Sequence, residues 1–72
     1  MKKSKYDVRK TIEISGFGKI TATAGTFNSI SIILMEAANY NRKIGANETA
    51  DLSDKQSNEI YNVLAKIGFY EY

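Results

Sequence analysis

The chain contains no cysteine, no histidine, no proline and no tryptophan. Without cysteine there is no disulfide. Without cysteine or histidine the thiolate and imidazole ligands that structural zinc requires are missing too. Two common devices for stabilising a small domain are therefore excluded, which leaves helix packing and self-association. The same absences remove the commonest general base and the readiest nucleophile. A carboxylate pair would have to carry any catalysis, and Asp51 with Asp54 is the nearest candidate. Both favour the start of a helix, where negative charge is stabilised by ~0.3–1 kcal/mol. The chain therefore reads as non-enzymatic, with no cofactor and no metal expected.

Long apolar runs are lacking as well. Nothing approaches the ~20 residues needed to span a bilayer. The opening Met1-Lys2-Lys3-Ser4-Lys5 leads into a charged, alternating stretch and not into the apolar segment of a signal peptide. Absence of cysteine fits a reducing compartment. These points set the expectation of a cytoplasmic protein with no membrane partner.

What is present is 72 residues, enough for one domain. A domain of this size buries only roughly 60% of the surface its unfolded chain exposes. Self-association into a homo-oligomer, in the simplest case a homodimer, is a natural remedy. The net charge of +2 hides an asymmetry: residues 1–35 carry a net +4 and residues 36–72 a net −2. Such halves can meet a polyanion, or each other across an interface.

The pattern along the chain predicts an α+β fold, a β-hairpin followed by two helices (ββαα). Residues 1–5 form a basic tail, expected to be flexible. Residues 6–14 alternate, with Tyr6, Val8, Ile12 and Ile14 on one face and Asp7, Arg9, Thr11 and Glu13 on the other. Residues 20–27 alternate too, which places the hairpin at 6–27. Pairing Ile14 with Ile20 keeps the apolar faces together, whereas a slip by one residue would oppose an apolar face to a threonine face. That register leaves Gly16-Phe17-Gly18 as a turn closed by Ser15 and Lys19, with Gly18 supplying the positive φ.

The first helix is expected over 28–45, capped by Asn28 or Ser29 and stopped at Gly45. Ile30, Ile33, Leu34, Ala37, Tyr40 and Ile44 share one face, taken as the core face. Ile32 and Met35 point away from it. Residues 47–68 hold a loop and the second helix. Its start is either the capping box Ser53-Asp54-Lys55-Gln56 or an earlier point with Asn47 as cap. Ile60, Tyr61, Val63, Leu64 and Ile67 form its apolar face. Gly68 stops it, and Phe69 is placed to fold back on Leu64. The repeated tripeptide Lys43-Ile44-Gly45 and Lys66-Ile67-Gly68 reads as one helix-stop chemistry used twice. The aromatic tail, 69–72, is expected to form a short third strand or a plug over the core.

Two binding readings follow. Phe17 at a turn tip, Ile32 and Met35 off the core face, and Tyr70 and Tyr72 in the tail are candidate contacts for a protein partner or a second copy. Lys5, Arg9, Lys10 and Lys19 on or beside the hairpin are candidate nucleic-acid contacts, since a two-stranded ribbon can enter a major groove. Asp7 and Glu13 interrupt that basic surface, and the protein-binding reading comes first. In size and texture the chain is like the short accessory proteins of phages and other mobile elements, a likeness that rests on no motif. Such proteins often block or redirect a host protein, so the expected partner is a host or phage protein.

Overall fold

A computed structural model describes residues 4–71. Its elements run in the expected order: strand β1 (Arg9–Ile14), strand β2 (Gly18–Thr23), helix α1 (Ala24–Lys43) and helix α2 (Asn47–Lys66). The two strands form an antiparallel hairpin. The two helices pack against each other, and the hairpin lies over part of one side of the pair. Ile12 and Ile14 of β1, Ala24 and Phe27 of α1, Ile60 and Leu64 of α2, and Phe69 beyond it make the buried core.

The hairpin keeps its expected faces but not its expected register. Ile14 stands opposite Gly18 and Ile12 opposite Ile20, two residues away from the pairing of Ile14 with Ile20. Alternation rules out a one-residue slip, but it cannot choose between registers that differ by two. Turn chemistry makes that choice. The Phe17 N–H donates to the Ile14 carbonyl at 2.9 Å, and Gly16 holds the positive φ (86°) that this turn requires. The three-residue connection is therefore Ser15-Gly16-Phe17, with Gly18 (φ 83°) opening β2. Thr11 pairs with Thr21, their hydroxyls 2.6 Å apart.

Helix α2 clamps this turn. The Glu59 carboxylate accepts from the Ser15 N–H (2.9 Å) and the Ser15 hydroxyl (2.7 Å), and the Gln56 amide donates to the Ser15 carbonyl (2.7 Å). Gln56 is buried for this purpose, so it does not serve in a capping box. The bonds from Ser15, with help from the Lys55 charge, hold the Glu59 carboxyl below its ordinary range. A carboxylate with a depressed folded pKa stabilises the fold above the unfolded value, and the contribution disappears as pH falls through the folded value. Glu59→Gln should therefore cost about 1–2 kcal/mol at neutral pH. The difference from the parent protein should vanish under acid, and urea unfolding at the two pH values checks it.

Tyr6 leaves the strand. Residues Lys5–Asp7 form a single 3-10 turn whose Tyr6 N–H is accepted by the Ser4 hydroxyl at 3.2 Å. The Tyr6 ring packs edge-on against Phe69, centroids 5.1 Å apart. Lys5 is part of the same corner, its ammonium 5.4 Å from the Phe69 ring centre and 3.4 Å from the Glu71 carbonyl. Ser4 and Lys5, the last two residues of the expected basic tail, thus make contacts with the fold, and residues 1–3 of that tail lie outside the described residues.

Strand β2 runs straight into α1, four or five residues before the expected start. Thr23 is the cap, its hydroxyl accepting from the Thr26 N–H, and the Ala24 N–H is taken by the Val8 carbonyl at 2.7 Å. Gly25 sits so close to Tyr6 that a Cβ would meet its backbone oxygen at 3.2 Å. Asn28 and Ser29 consequently lie inside the helix. Helix α2 likewise starts at Asn47, with Ala46 as cap and no side-chain capping bond, so residues 47–52 are helical and Ser53 is an interior position.

Both helices end as the repeated tripeptide suggests. Ala46 donates to Asn41 and Gly45 to Arg42; Phe69 donates to Leu64 and Gly68 to Ala65. Gly45 and Gly68 carry positive φ. These are two Schellman stops. Phe69 turns back into the core, and among the described residues the tail forms a turn, not a third strand. Tyr72 lies outside the described residues.

The largest departure concerns which side of α1 is buried. Ala24, Phe27, Ser31 and Ala38 face inward, whereas Ile33 (63% exposed), Tyr40 (64%) and Ile44 (59%) face outward. Ala38 and Ser31 of α1 and Ala50, Ser53 and Ser57 of α2 are small residues that are all buried. Small side chains let two helices approach closely, and the Ser57 hydroxyl donates to the Ser31 carbonyl at 3.1 Å. At the far end of the pair Arg42 bridges Asp51 (3.2 Å) and Asp54. Those two carboxylates, the nearest thing to a catalytic pair, are ion-pair partners. Their hydrogen bonds raise the Arg42 pKa further above its ordinary value.

Candidate partner-binding groove

The side of the helix pair away from the hairpin carries an open groove of about 470 Å³. Asn28, Ser31, Ile32 and Met35 line it from α1, and Ser57, Asn58 and Tyr61 from α2. Tyr70 of the tail closes one end. Helical geometry explains the set: positions 28, 31, 32 and 35 of α1, and 57, 58 and 61 of α2, recur at spacings of three and four. Ser31 and Ser57 form a short polar floor. Their hydroxyls are occupied, Ser57 by the Ser31 carbonyl and Ser31 by the Asn28 carbonyl at 2.9 Å. The walls are apolar and half-exposed: Ile32, Met35, Tyr61 and Tyr70.

The aromatic wall is pre-organised. Tyr61 and Tyr70 stack with centroids 4.9 Å apart and planes 27° from parallel. Phe69, locked in the core by the Schellman stop, meets Tyr70 edge-on at 5.2 Å. The Tyr70 hydroxyl donates to the Asn28 side-chain oxygen at 3.2 Å, tying the tail to α1. Burial, followed by the neighbouring Tyr61, pushes the Tyr70 phenol above its ordinary value, so it remains a donor at neutral pH.

Of the candidate protein contacts, Ile32, Met35 and Tyr70 come together here. Phe17 does not. It stands at the hairpin tip, 66% exposed, beside Ile14, Ile20, Ile30, Ile33 and Leu34 around a second, apolar depression of about 270 Å³. Tyr61 belongs to the groove although its spacing with Ile60 and Leu64 suggested the core. Its position four residues after Ser57, on the row that faces Ser31 and Met35, is the signal that could have found it.

The candidate nucleic-acid contacts do not gather. Arg9 and Lys19 lie on the outward face near opposite ends of the hairpin, with Lys19 paired across the strands to Glu13. Lys10 belongs to the inward row of Ile12 and Ile14, opposite Ala22. Lys5 is engaged with the C-terminal turn. Among the described residues no helix is long and apolar enough to cross a membrane. No family model, no curated protein and no solved structure matches the chain.

Proposed function

We propose that this protein is a small non-enzymatic binding module that takes an apolar segment of another protein into the groove between α1 and α2. The observation that carries this reading is the grouping of Ile32, Met35, Tyr61 and Tyr70 around one opening while the core closes without them. Among the described residues no charged side chain lines the groove, so it suits apolar side chains, with Asn28 and Asn58 at hand for a partner's backbone. Methionine adapts to varied surfaces. Tyrosine offers large contact area at low entropic cost. The absence of histidine and cysteine supports a role by occupancy and not by chemistry. The likeness in size to phage accessory proteins makes a host protein the partner to look for, its surface blocked or redirected.

A photo-reactive benzoylphenylalanine at position 35 tests this in cells. It should cross-link to a defined protein, and nuclease treatment should leave the adduct unchanged. The same group in place of Lys55, on the exposed side of α2, should give none. Adducts that nuclease destroys, or equal labelling from both positions, would overturn the reading.

A further inference from the structure

On the other side of α1 lies a stripe whose far part, Ile33, Tyr40 and Ile44, stays exposed among the described residues. Ile30, Ile33, Ala37, Tyr40 and Ile44 follow one another at spacings of three, four, three and four, the seam pattern of a helix that packs on another helix. Helix α2 leaves that seam open, since Ile33, Tyr40 and Ile44 stay exposed while its Ser57 bonds to Ser31 on another side of α1. The hairpin covers only its beginning, because six extended residues reach roughly 20 Å and the 20-residue helix about 30 Å. Beyond the hairpin tip, small residues (Ala38, Ala50, Ser53) are inside and large ones (Tyr40, Ile44, Leu52) outside. That inverts the usual arrangement of a core.

We infer that this stripe, together with Phe17 and the depression beside it, is the interface of a two-fold symmetric homodimer in which α1 packs antiparallel on its copy. Three observations select a second copy as the occupant. First, the area fits. Phe17, Ile33, Tyr40 and Ile44 leave roughly 500 Å² uncovered, taking aromatic side chains at ~150–250 Å² and aliphatic ones as smaller. With the half-buried Ile20, Ile30, Leu34 and Ala37 the patch reaches about 600–700 Å², within the range each partner contributes to a standard interface. That is above the largest patch of most monomers.

Second, the stripe is complementary to itself. Its small residue, Ala37, is central, and large residues lie on both sides of it. An antiparallel crossing at Ala37 sets Ile30 against Ile44 of the copy and brings each Ile33 close to the other's Tyr40. A two-fold contact repeats each such pair. Third, the depression lined by Phe17, Ile20, Ile30 and Ile33 holds about 270 Å³ and lies at the end of the stripe that the copy's Tyr40 and Ile44 would reach. The interface is separate from the groove, because Ile32 and Met35 lie on another side of α1 from Ile33 and Tyr40.

Sedimentation equilibrium on the full chain tests the inference. The expected mass is twice 8.0 kDa at micromolar concentration. Ile33→Glu with Tyr40→Glu should weaken association at least ~100-fold, two buried unpaired charges being far costlier than that, with the helical circular dichroism retained. Ile32→Gln with Met35→Gln should remain dimeric. Because the chain has no cysteine, Ala37→Cys should form a disulfide with its own copy under mild oxidation, whereas Lys55→Cys should not. A monomeric parent protein, a dimer that survives the double Glu substitution, or a silent Ala37→Cys would each overturn the inference. Should the Glu variant unfold, the disulfide result alone decides.

Discussion

Phe27→Ala should cost about 3–5 kcal/mol, the usual loss when a fully buried aromatic is truncated and its cavity only partly refills. Phe27 has no exposed surface and lies where β1, α1, α2 and the returning Phe69 converge. No other side chain in this core is as large and as fully buried. A domain of this length is worth roughly 4–11 kcal/mol in total at typical values per residue. The variant should therefore be marginal or unfolded at physiological temperature. Urea titration followed by circular dichroism measures it, and a loss below ~1 kcal/mol would mean that the core lies elsewhere.

Ile32→Gln with Met35→Gln should give the opposite profile. Both side chains are half-exposed and glutamine is a good helix former, so stability should fall by only about 1 kcal/mol. Binding of an apolar partner segment should fall far more. Each amide buried without a hydrogen bond costs ~1–3 kcal/mol, so the pair should weaken the complex by about 30-fold to about 20,000-fold. Titration calorimetry with the partner captured at position 35 reads this directly. Unchanged affinity would remove the groove from function.

The elements whose physics is local were legible in the sequence. The alternation read over 6–14 matches the faces of β1 from Arg9 to Ile14 but not Tyr6, and Gly45 and Gly68 marked both helix ends with their bonding pattern. The elements decided by tertiary contact were not. The hairpin register depends on the turn at Gly16 and on the clamp from Glu59 and Gln56, residues more than forty positions away. The start of α1 depends on the Val8 carbonyl and the fit of Gly25 against Tyr6.

The site was half legible for a related reason. Helix α1 is apolar on more than one side, and summed hydrophobicity favours burying Ile33, Tyr40 and Ile44. The structure buries the small residues Ser31, Ala38, Ala50, Ser53 and Ser57 instead, and Ser57 of α2 bonds to the Ser31 carbonyl of α1. Once that pairing is set, Ile32 and Met35 fall beside Tyr61 and Tyr70, and the supposed core stripe falls on the surface. Ile32 and Met35 were identifiable from the helical wheel alone; their aromatic neighbour Tyr61 was not.

The most direct test of the claim that the groove walls serve contacts and not folding is the urea stability of the two variants measured side by side. Phe27→Ala should lose at least about three times as much stability as Ile32→Gln with Met35→Gln, by the burial difference between them. Equal losses would contradict the claim, since they would make Ile32 and Met35 part of the core.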